Sequence, residues 1–370
     1  MDFNIYVIIG LLSTFVTVLL AIFILSVSSK NKISNILFAI FLILNAFEFS
    51  GFFLQIFFEK PNNFLVAKDQ FTHLTLPTFF LYILSVCYSD FRIQKKHLWH
   101  TIPFFAANFV MIPRFYLSST DEKIALYKNF NSLYEIIYIH ISLHLQSIIY
   151  IVLGFIVLKR AKKIFLENYS NNNIKTYKWL FQLLLFMSFL YGVAIIKNSL
   201  KFFGKQNNFQ IAQIGMSIAV LSFACWYVLK ALRNPNLFSG VNSNIKLITD
   251  LNVAAKNNIN REEIDAIILF MKTEKPYLNP SLTIRNLAEK IKMNPRDLSV
   301  LINQHLEKHF FDFINEFRIE EAKKILKNPE KKEFTVLEIL YDVGFNSKSS
   351  FNTAFKKHTG LTPTQYRKTA

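Results

Sequence analysis

Two short segments near the C-terminus carry polar and basic side chains on one face of a predicted helix. Arg can donate paired hydrogen bonds to O6 and N7 of guanine, and Asn can pair with N6 and N7 of adenine. Ser and Thr hydroxyls suit bases or phosphates, and Lys suits phosphates. The same side chains could also form an ordinary solvated face. They are Arg296, Ser299 and Asn303 in the first segment and Lys348, Ser349, Ser350, Asn352, Thr353, Lys356 and Lys357 in the second.

Each polar segment is predicted to be the second helix of a short helix-turn-helix unit. The first helices begin after the capping residues Thr283 and Thr335, and the second helices begin after Asn294 and Ser347. Gly344 lies in the second turn, where a positive φ is expected. The apolar positions between the caps recur with the period of a helix that buries one face.

A longer amphipathic segment, Phe311–Leu326, separates the two units and predicts one rigid connecting helix. Within it, Arg318 is interpreted as an anchor of the fold and not as a ligand contact. The apolar positions of the segment are Phe313, Ile314, Phe317, Ala322 and Ile325.

The composition divides the chain near Lys230. The protein has 370 residues, of which 52% are hydrophobic and 18% charged, and its net charge is +17. Residues 1–230 contain 29 charged side chains, whereas the 140 residues that follow contain 38. A chain this apolar is not intrinsically disordered, and two cysteines do not form a disulfide scaffold. The division instead indicates one part in lipid and one in water.

The first part contains seven continuous apolar stretches, which predict membrane-spanning helices because a crossing takes about 20 apolar residues. Continuous runs also argue against β-barrel strands, whose side chains alternate. The fourth stretch is the weakest because it is short and contains Pro113 and Arg114. The stretches are Ile5–Val27, Ile33–Phe58, Phe71–Ser89, Thr101–Leu117, Ile136–Leu158, Trp179–Lys197 and Phe209–Leu229.

Lys and Arg residues in the loops indicate the orientation of this bundle. Eleven fall on one side and 8 on the other, so the N-terminus is expected outside and, after seven crossings, the C-terminus in the cytoplasm. If the fourth stretch does not span, six crossings with the N-terminus inside would also keep the C-terminus cytoplasmic. An Asn-rich linker, residues 231–261, is predicted between the membrane domain, 1–230, and the soluble domain, 262–370.

Several ionisable side chains fall within or beside the apolar stretches. Such groups are costly at membrane depth and usually face the bundle interior. One hypothesis is a signal pocket opening outward, formed by Glu48, Arg114, His140 and His144. The alternative is that these groups form hydrogen bonds between helices. Two histidines are too few for a metal site, and no cofactor is expected.

The C-terminal sequence resembles the AraC/XylS family of bacterial transcription regulators. The resemblance rests on "GFNSKSSFNTAFKKHTGLTPTQYRK" (Gly344–Lys368), on "LTIRNLAEKIKMNPRDLSVLIN" and on "FFDFINEFRIEEAKKIL", and covers about Glu262–Lys368. Glu307 departs from it, since the family commonly has Gly there, and so does Val300, where some members have a polar base contact. The apolar N-terminal part resembles the membrane-embedded members.

The resemblance implies an all-α protein: a transmembrane bundle of about seven helices followed by a cytoplasmic domain with two helix-turn-helix units. It implies that the second helix of each unit enters the major groove of double-stranded DNA, and that the ten polar residues above are its contacts. The implied partners are DNA, a lipid bilayer, a second copy of the chain, RNA polymerase and an unknown small-molecule or envelope signal. The implied location is the bacterial cytoplasmic membrane.

The expected function is a membrane-embedded, sequence-specific transcription regulator that is not an enzyme. Two alternatives belong to other classes. A histidine-ligated redox or proton-transfer enzyme in the membrane would need further convergent ligands. A tether that holds DNA at the membrane without regulating it would bind DNA regardless of sequence.

Overall fold

The computed structural model describes residues 5–26, 32–58, 60–170, 174–202, 206–232, 261–331 and 333–369. Within these ranges every named element is helical, which confirms the all-α prediction, and an isolated antiparallel bridge joins Tyr169 and Thr283. The chain divides into a first unit, Met1–Lys159 with Thr176–Gly240, and a second unit, Arg160–Lys175 with Val241–Ala370. All of the predicted linker except its first two residues and its last lies outside the described residues.

Most helices of the first unit are long and apolar, but the helices that begin at Asn63 and Thr120 have only 7 and 9 residues. α1 packs against α2 and α9, and α2 also packs against α3 and α4. Five segments within the described residues have the length and composition of membrane spans: Val7–Ser26, Lys32–Leu54, Asn63–Cys87, Tyr134–Asn168 and Tyr177–Leu200. The helices are α1 (Ile5–Ser26), α2 (Lys32–Phe57), α3 (Asn63–Asp69), α4 (Thr72–Cys87), α5 (Ile102–Met111), α6 (Thr120–Lys128), α7 (Tyr134–Asn168), α8 (Ile174–Phe202) and α9 (Gln206–Leu232).

The fourth apolar stretch, which the sequence marks as the weakest, is not one continuous α-helix, and its crossing of a membrane stays a prediction. A 3₁₀ segment, Lys95–Thr101, precedes α5, and a π-helical turn, Ile112–Tyr116, follows it. Pro113 has no N–H with which to continue the α-helical ladder. The chain responds with a wider turn in which the Leu117 N–H bonds to the Ile112 carbonyl at 3.2 Å.

Buried polar side chains connect the helices of the first unit. His73 Nε2 of α4 lies 3.2 Å from Ser142 Oγ of α7, and Gln146 Nε2 donates to the His73 carbonyl at 2.9 Å. The buried Lys68 ammonium donates to the Phe47 carbonyl at 3.1 Å. These contacts fit the interhelical role that the sequence left open for such residues.

From Arg261 onwards, the described residues of the second unit form seven helices around two apolar cores. The first core joins α10, α11, α12 and the start of α13, and the second joins the remainder of α13 to α14 and α15. The helices are α10 (Arg261–Glu274), α11 (Ile284–Lys290), α12 (Pro295–Val300), α13 (Phe310–Lys327), α14 (Val336–Asp342), α15 (Lys348–Thr359) and α16 (Pro363–Lys368).

α13 is the rigid connecting helix that the sequence predicts. Its Phe313 and Ile314 side chains belong to the first core, whereas Ile319, Ala322 and Leu326 belong to the second. The helix has 18 residues, which corresponds to about 27 Å at 1.5 Å per residue. Since both cores include the same helix, neither helix-turn-helix unit can turn without disturbing the other.

Candidate nucleic-acid interface

Side-chain caps fix where the helices of both helix-turn-helix units begin. The side chains of Thr283, Asn294, Thr335 and Ser347 accept hydrogen bonds from backbone N–H groups of the first turns at 2.9 to 3.4 Å. Each cap satisfies a donor that a helix N-terminus leaves without an intrahelical partner. All four caps are confirmed.

The first candidate reader is α12, and its exposed face is narrower than predicted. Arg296 is exposed in the first turn of the helix. Ser299 and Val300 are only 6% and 8% exposed. The prediction that Ser299 belongs to the outer face is therefore corrected. Asn303 is half-buried, and its amide donates to the Ser299 carbonyl at 2.9 Å.

A π-helical turn, Leu301–His305, continues α12 and changes which side chains are exposed. Gln304 and His305 are exposed there. The sequence does not indicate either residue as a candidate contact, because nothing in their types signals the extra residue of a π turn. Glu307 follows in the left-handed region with φ 53°. That conformation explains why glycine suits this position, since it is unfavourable for residues with a Cβ.

The second candidate reader is α15, whose outer face is broader. Lys348, Ser349, Thr353 and Lys356 are exposed, and Asn352 is half-buried. Ser350, predicted to face outward, is 7% exposed. Its hydroxyl lies 2.6 Å from the capping hydroxyl of Ser347. Ser350 is therefore corrected from the outer face to the support of the helix start.

Lys357 is exposed but forms an ion pair with Asp312 of α13 at 2.6 Å. An exposed pair of this kind contributes about 0 to 1 kcal/mol, so a phosphate can compete for the ammonium group. The pair lies in an open groove of about 450 Å³ that contains acidic and basic side chains. The groove is lined by Asn303, Glu307, Lys308, His309, Asp312, Glu316, Lys357 and His358.

The four residues of the predicted signal pocket lie on several helices of the first unit. Arg114 follows α5 and pairs with Glu135 of α7 at 3.6 Å. His140 and His144 lie one turn apart on α7, with ring centroids 6.3 Å apart. Glu48 is half-buried on α2. The pocket stays a prediction.

The histidine pair adjoins a polar cluster between α7, α8 and α9. The Asn198 amide lies 3.3 Å from His144 Nε2. Lys197 donates to the Gln213 side chain, and its ammonium lies 5.3 Å from the centre of the Phe209 ring. Among the described residues, no group of three or more His, Cys, Asp or Glu side chains is placed to hold a metal ion.

The C-terminal region matches known proteins over the segment that contains both readers. A family model described as a helix-turn-helix domain matches residues 287–369. An uncharacterized transcriptional regulatory protein, YesN of Bacillus subtilis (strain 168), is 34% identical over 92 residues, which are 24% of this chain and 24% of that protein. The melibiose operon regulatory protein of Escherichia coli (strain K12) is 26% identical over 113 residues, 30% of this chain and 36% of that protein.

A solved structure also matches part of this chain. The C-terminal domain of AraT, a response regulator from Geobacillus stearothermophilus, is 30% identical, with a TM-score of 0.26, and the match covers 30% of this chain and 88% of that one. The curated relatives named above are covered over only a quarter to about a third of their own length. The residues that the family model matches include both α12 and α15, and the C-terminal part of this chain is an AraC-type helix-turn-helix domain.

Proposed function

We propose that this chain is a membrane-embedded transcription regulator that reads a specific DNA sequence with α12 and α15. A signal received by the membrane bundle changes how the C-terminal domain meets DNA. The chain acts as a homodimer, contacts RNA polymerase when bound, and lies in the bacterial cytoplasmic membrane with the domain in the cytoplasm.

The observation that carries the DNA-binding proposal is the sharing of α13 between two apolar cores. Each core holds one reader, and the 18-residue helix between them resists bending. Two readers at a fixed separation suit successive major grooves, which recur about every 34 Å along one face of a duplex. A single reader would obtain fewer base contacts and less sequence discrimination.

Genome-wide mapping of DNA bound by the full chain, with transcript measurements after deletion of its gene, tests the proposal. We expect a defined motif with two half-contacts about ten base pairs apart. We also expect altered transcripts next to the bound sites. Diffuse binding without transcript changes would contradict regulation and favour a DNA-membrane tether.

The two kinds of polar contact in α15 predict different responses to substitution. Asn352→Ala is expected to weaken binding to the mapped duplex by about 1 to 3 kcal/mol and to relax the preference at one base pair, since an amide reads a base edge. Lys356→Gln is expected to weaken all duplexes alike and to lower the salt dependence by about one unit of slope. Fluorescence anisotropy over a range of salt concentrations measures both effects.

Asn346→Ala provides the matched control for this pair, because Asn346 is exposed but precedes the capping residue of α15. Its binding is expected to stay within a factor of about two, as for surface substitutions away from contacts. A uniform loss in the Asn352→Ala chain, with unchanged base preference, would remove Asn352 from direct readout.

An exposed apolar stripe on α7 supports the proposal of a bilayer around the first unit. Ile141, Leu145, Ile148, Val152 and Ile156 are each more than half exposed and recur along one helical face. A continuous apolar surface of this kind is unfavourable in water and favourable in lipid. α5 has 10 residues, about 15 Å at 1.5 Å per residue, so a fourth crossing there also needs the turns on either side of it.

Cysteine labelling in intact cells tests the seven-span topology. In a Cys87→Ala, Cys225→Ser background, a membrane-impermeant maleimide is expected to label an Asp121→Cys chain before lysis. It is expected to label a Lys162→Cys chain only after lysis, because the Lys-rich C-terminal end of α7 stays inside. Labelling of both chains in intact cells, or of neither, would contradict this orientation.

A further inference from the structure

The end of α7 belongs to the second unit. The unit boundary falls after Lys159, so Arg160–Lys175 groups with the residues of the DNA-binding domain, although α7 is one continuous helix from Tyr134. Within the second unit, the buried Phe165 ring contacts Phe311 of α13 with ring centroids 6.2 Å apart. A helix that begins in the apolar bundle therefore ends on the domain with both readers.

The two residues that follow α7, Tyr169 and Ser170, form backbone contacts with the chain just before α11. Tyr169 pairs with Thr283 as an antiparallel bridge. The Ser170 N–H donates to the Leu282 carbonyl at 3.3 Å, and the Ser170 hydroxyl donates to the same carbonyl at 2.6 Å. Ser170 is 2% exposed, so its polar atoms depend on these partners in place of water.

Arg318 connects this segment to both halves of the domain. Its guanidinium donates to the Ser170 carbonyl at 2.9 Å and to the Ser170 hydroxyl at 3.3 Å. The same group donates to the carbonyls of Tyr277 at 2.7 Å and Asn279 at 2.8 Å. On its other side, the guanidinium lies 5.6 Å from the centre of the Phe345 ring, in the turn of the second helix-turn-helix unit.

We propose that Tyr169–Ser170 is a latch through which α7 controls the DNA-binding domain. Docked on Leu282 and Arg318, the latch completes a buried hydrogen-bond network that holds the two readers in their DNA-binding arrangement. A movement of α7 that withdraws Ser170 leaves guanidinium donors without acceptors, and the contact between the two halves through Arg318 loosens. The inference rests on the proposed function, because the latch supplies the two states that sensing requires.

The Tyr169–Thr283 bridge provides a way to lock the latch. Residues directly opposite on antiparallel strands have Cβ atoms about 4.5 to 5.5 Å apart, close to disulfide geometry. In the Cys87→Ala, Cys225→Ser background, a Tyr169→Cys, Thr283→Cys chain in native membranes is expected to cross-link on addition of copper phenanthroline. Absence of the cross-link would overturn the docked latch, whatever the protein does with DNA.

Binding of the mapped duplex by the full chain in nanodiscs tests the coupling. Ser170→Trp cannot fit the buried site and is expected to weaken binding about ten-fold, within the usual range of allosteric coupling. Lys162→Trp adds the same bulk at an exposed position of α7 and is expected to bind like the wild-type chain. The oxidised double-cysteine chain, compared with its own reduced form, is expected to bind at least as tightly.

The outcomes separate the latch from the proposed function. If the wild-type chain and the Ser170→Trp chain bind the duplex equally, the latch is wrong and DNA recognition stands. If Ser170→Trp binds more tightly, or oxidation abolishes binding, docking does not favour the DNA-binding arrangement and the latch is again wrong. A wild-type chain that binds no preferred duplex contradicts the proposed function and the latch together.

Discussion

Replacing Gly344 with alanine is expected to lower the free energy of unfolding of the second unit by about 2 to 5 kcal/mol. Gly344 has φ 87° in the turn before the second reader. A Cβ there would lie 2.6 Å from the Tyr277 carbonyl oxygen and 2.7 Å from that of Leu278. Both are backbone atoms, so the clash cannot be relieved by a change of rotamer.

The same substitution affects Arg318, because the Tyr277 carbonyl that the added Cβ would clash with accepts a hydrogen bond from Arg318 Nε–H at 2.7 Å. A backbone shift large enough to admit the methyl group would disturb that hydrogen bond. We therefore expect Gly344→Ala to weaken duplex binding as well as stability. Hydrogen exchange of the Phe351 and Phe355 amides, which lie in the second core, measures the opening free energy.

Gly360→Ala is the matched control for Gly344→Ala. Gly360 also has a positive φ, 75°, at the end of α15, but an added Cβ meets no atom within 4 Å. Its expected cost is about 1 to 2 kcal/mol, from the backbone conformation alone. Equal losses in the two variants would show that the close approach to the 277–278 backbone is not important.

Local sequence signals account for most of the DNA-binding domain. Thr283, Asn294, Thr335 and Ser347 are identified because a cap depends only on a side chain and the next few backbone N–H groups. The connecting helix follows from its apolar period, since α13 must bury a stripe that reaches both cores. These features are encoded within a few residues of where they act.

The features that the sequence did not reveal depend on distant or unusual contacts. Ser299 looks like a polar face residue, but it is 6% exposed in the folded domain, and nothing in its residue type indicates that burial. The fourth apolar stretch ends in a π turn, in which the Leu117 N–H bonds to the Ile112 carbonyl, five residues earlier and not four. Ser170 and Arg318 are 148 positions apart, and no period or motif links them.

Arg318→Met is expected to destabilise the second unit by about 3 kcal/mol or more, because the buried carbonyls of Ser170 and Tyr277 and the more exposed carbonyl of Asn279 lose their donor. Methionine retains an apolar side chain of similar length but has no charge. Burial of the Arg318 guanidinium is unfavourable and lowers its pKa to about 10. Relief of that desolvation offsets part of the loss, but an apolar side chain satisfies none of the carbonyls.

The location of the faster hydrogen exchange shows whether Arg318 joins the two helix-turn-helix units or stabilises only one of them. Since Arg318 contacts the chain before α11 and the ring of Phe345, hydrogen exchange should accelerate in both helix-turn-helix units of the Arg318→Met chain. Arg285→Met makes the same chemical change at an exposed position of α11 and should leave exchange unchanged. Arg318→Lys keeps the charge but lacks the planar fork, so it should behave more like Arg318→Met than like wild type. Acceleration confined to the first helix-turn-helix unit would show that the two readers are held together by the apolar cores alone.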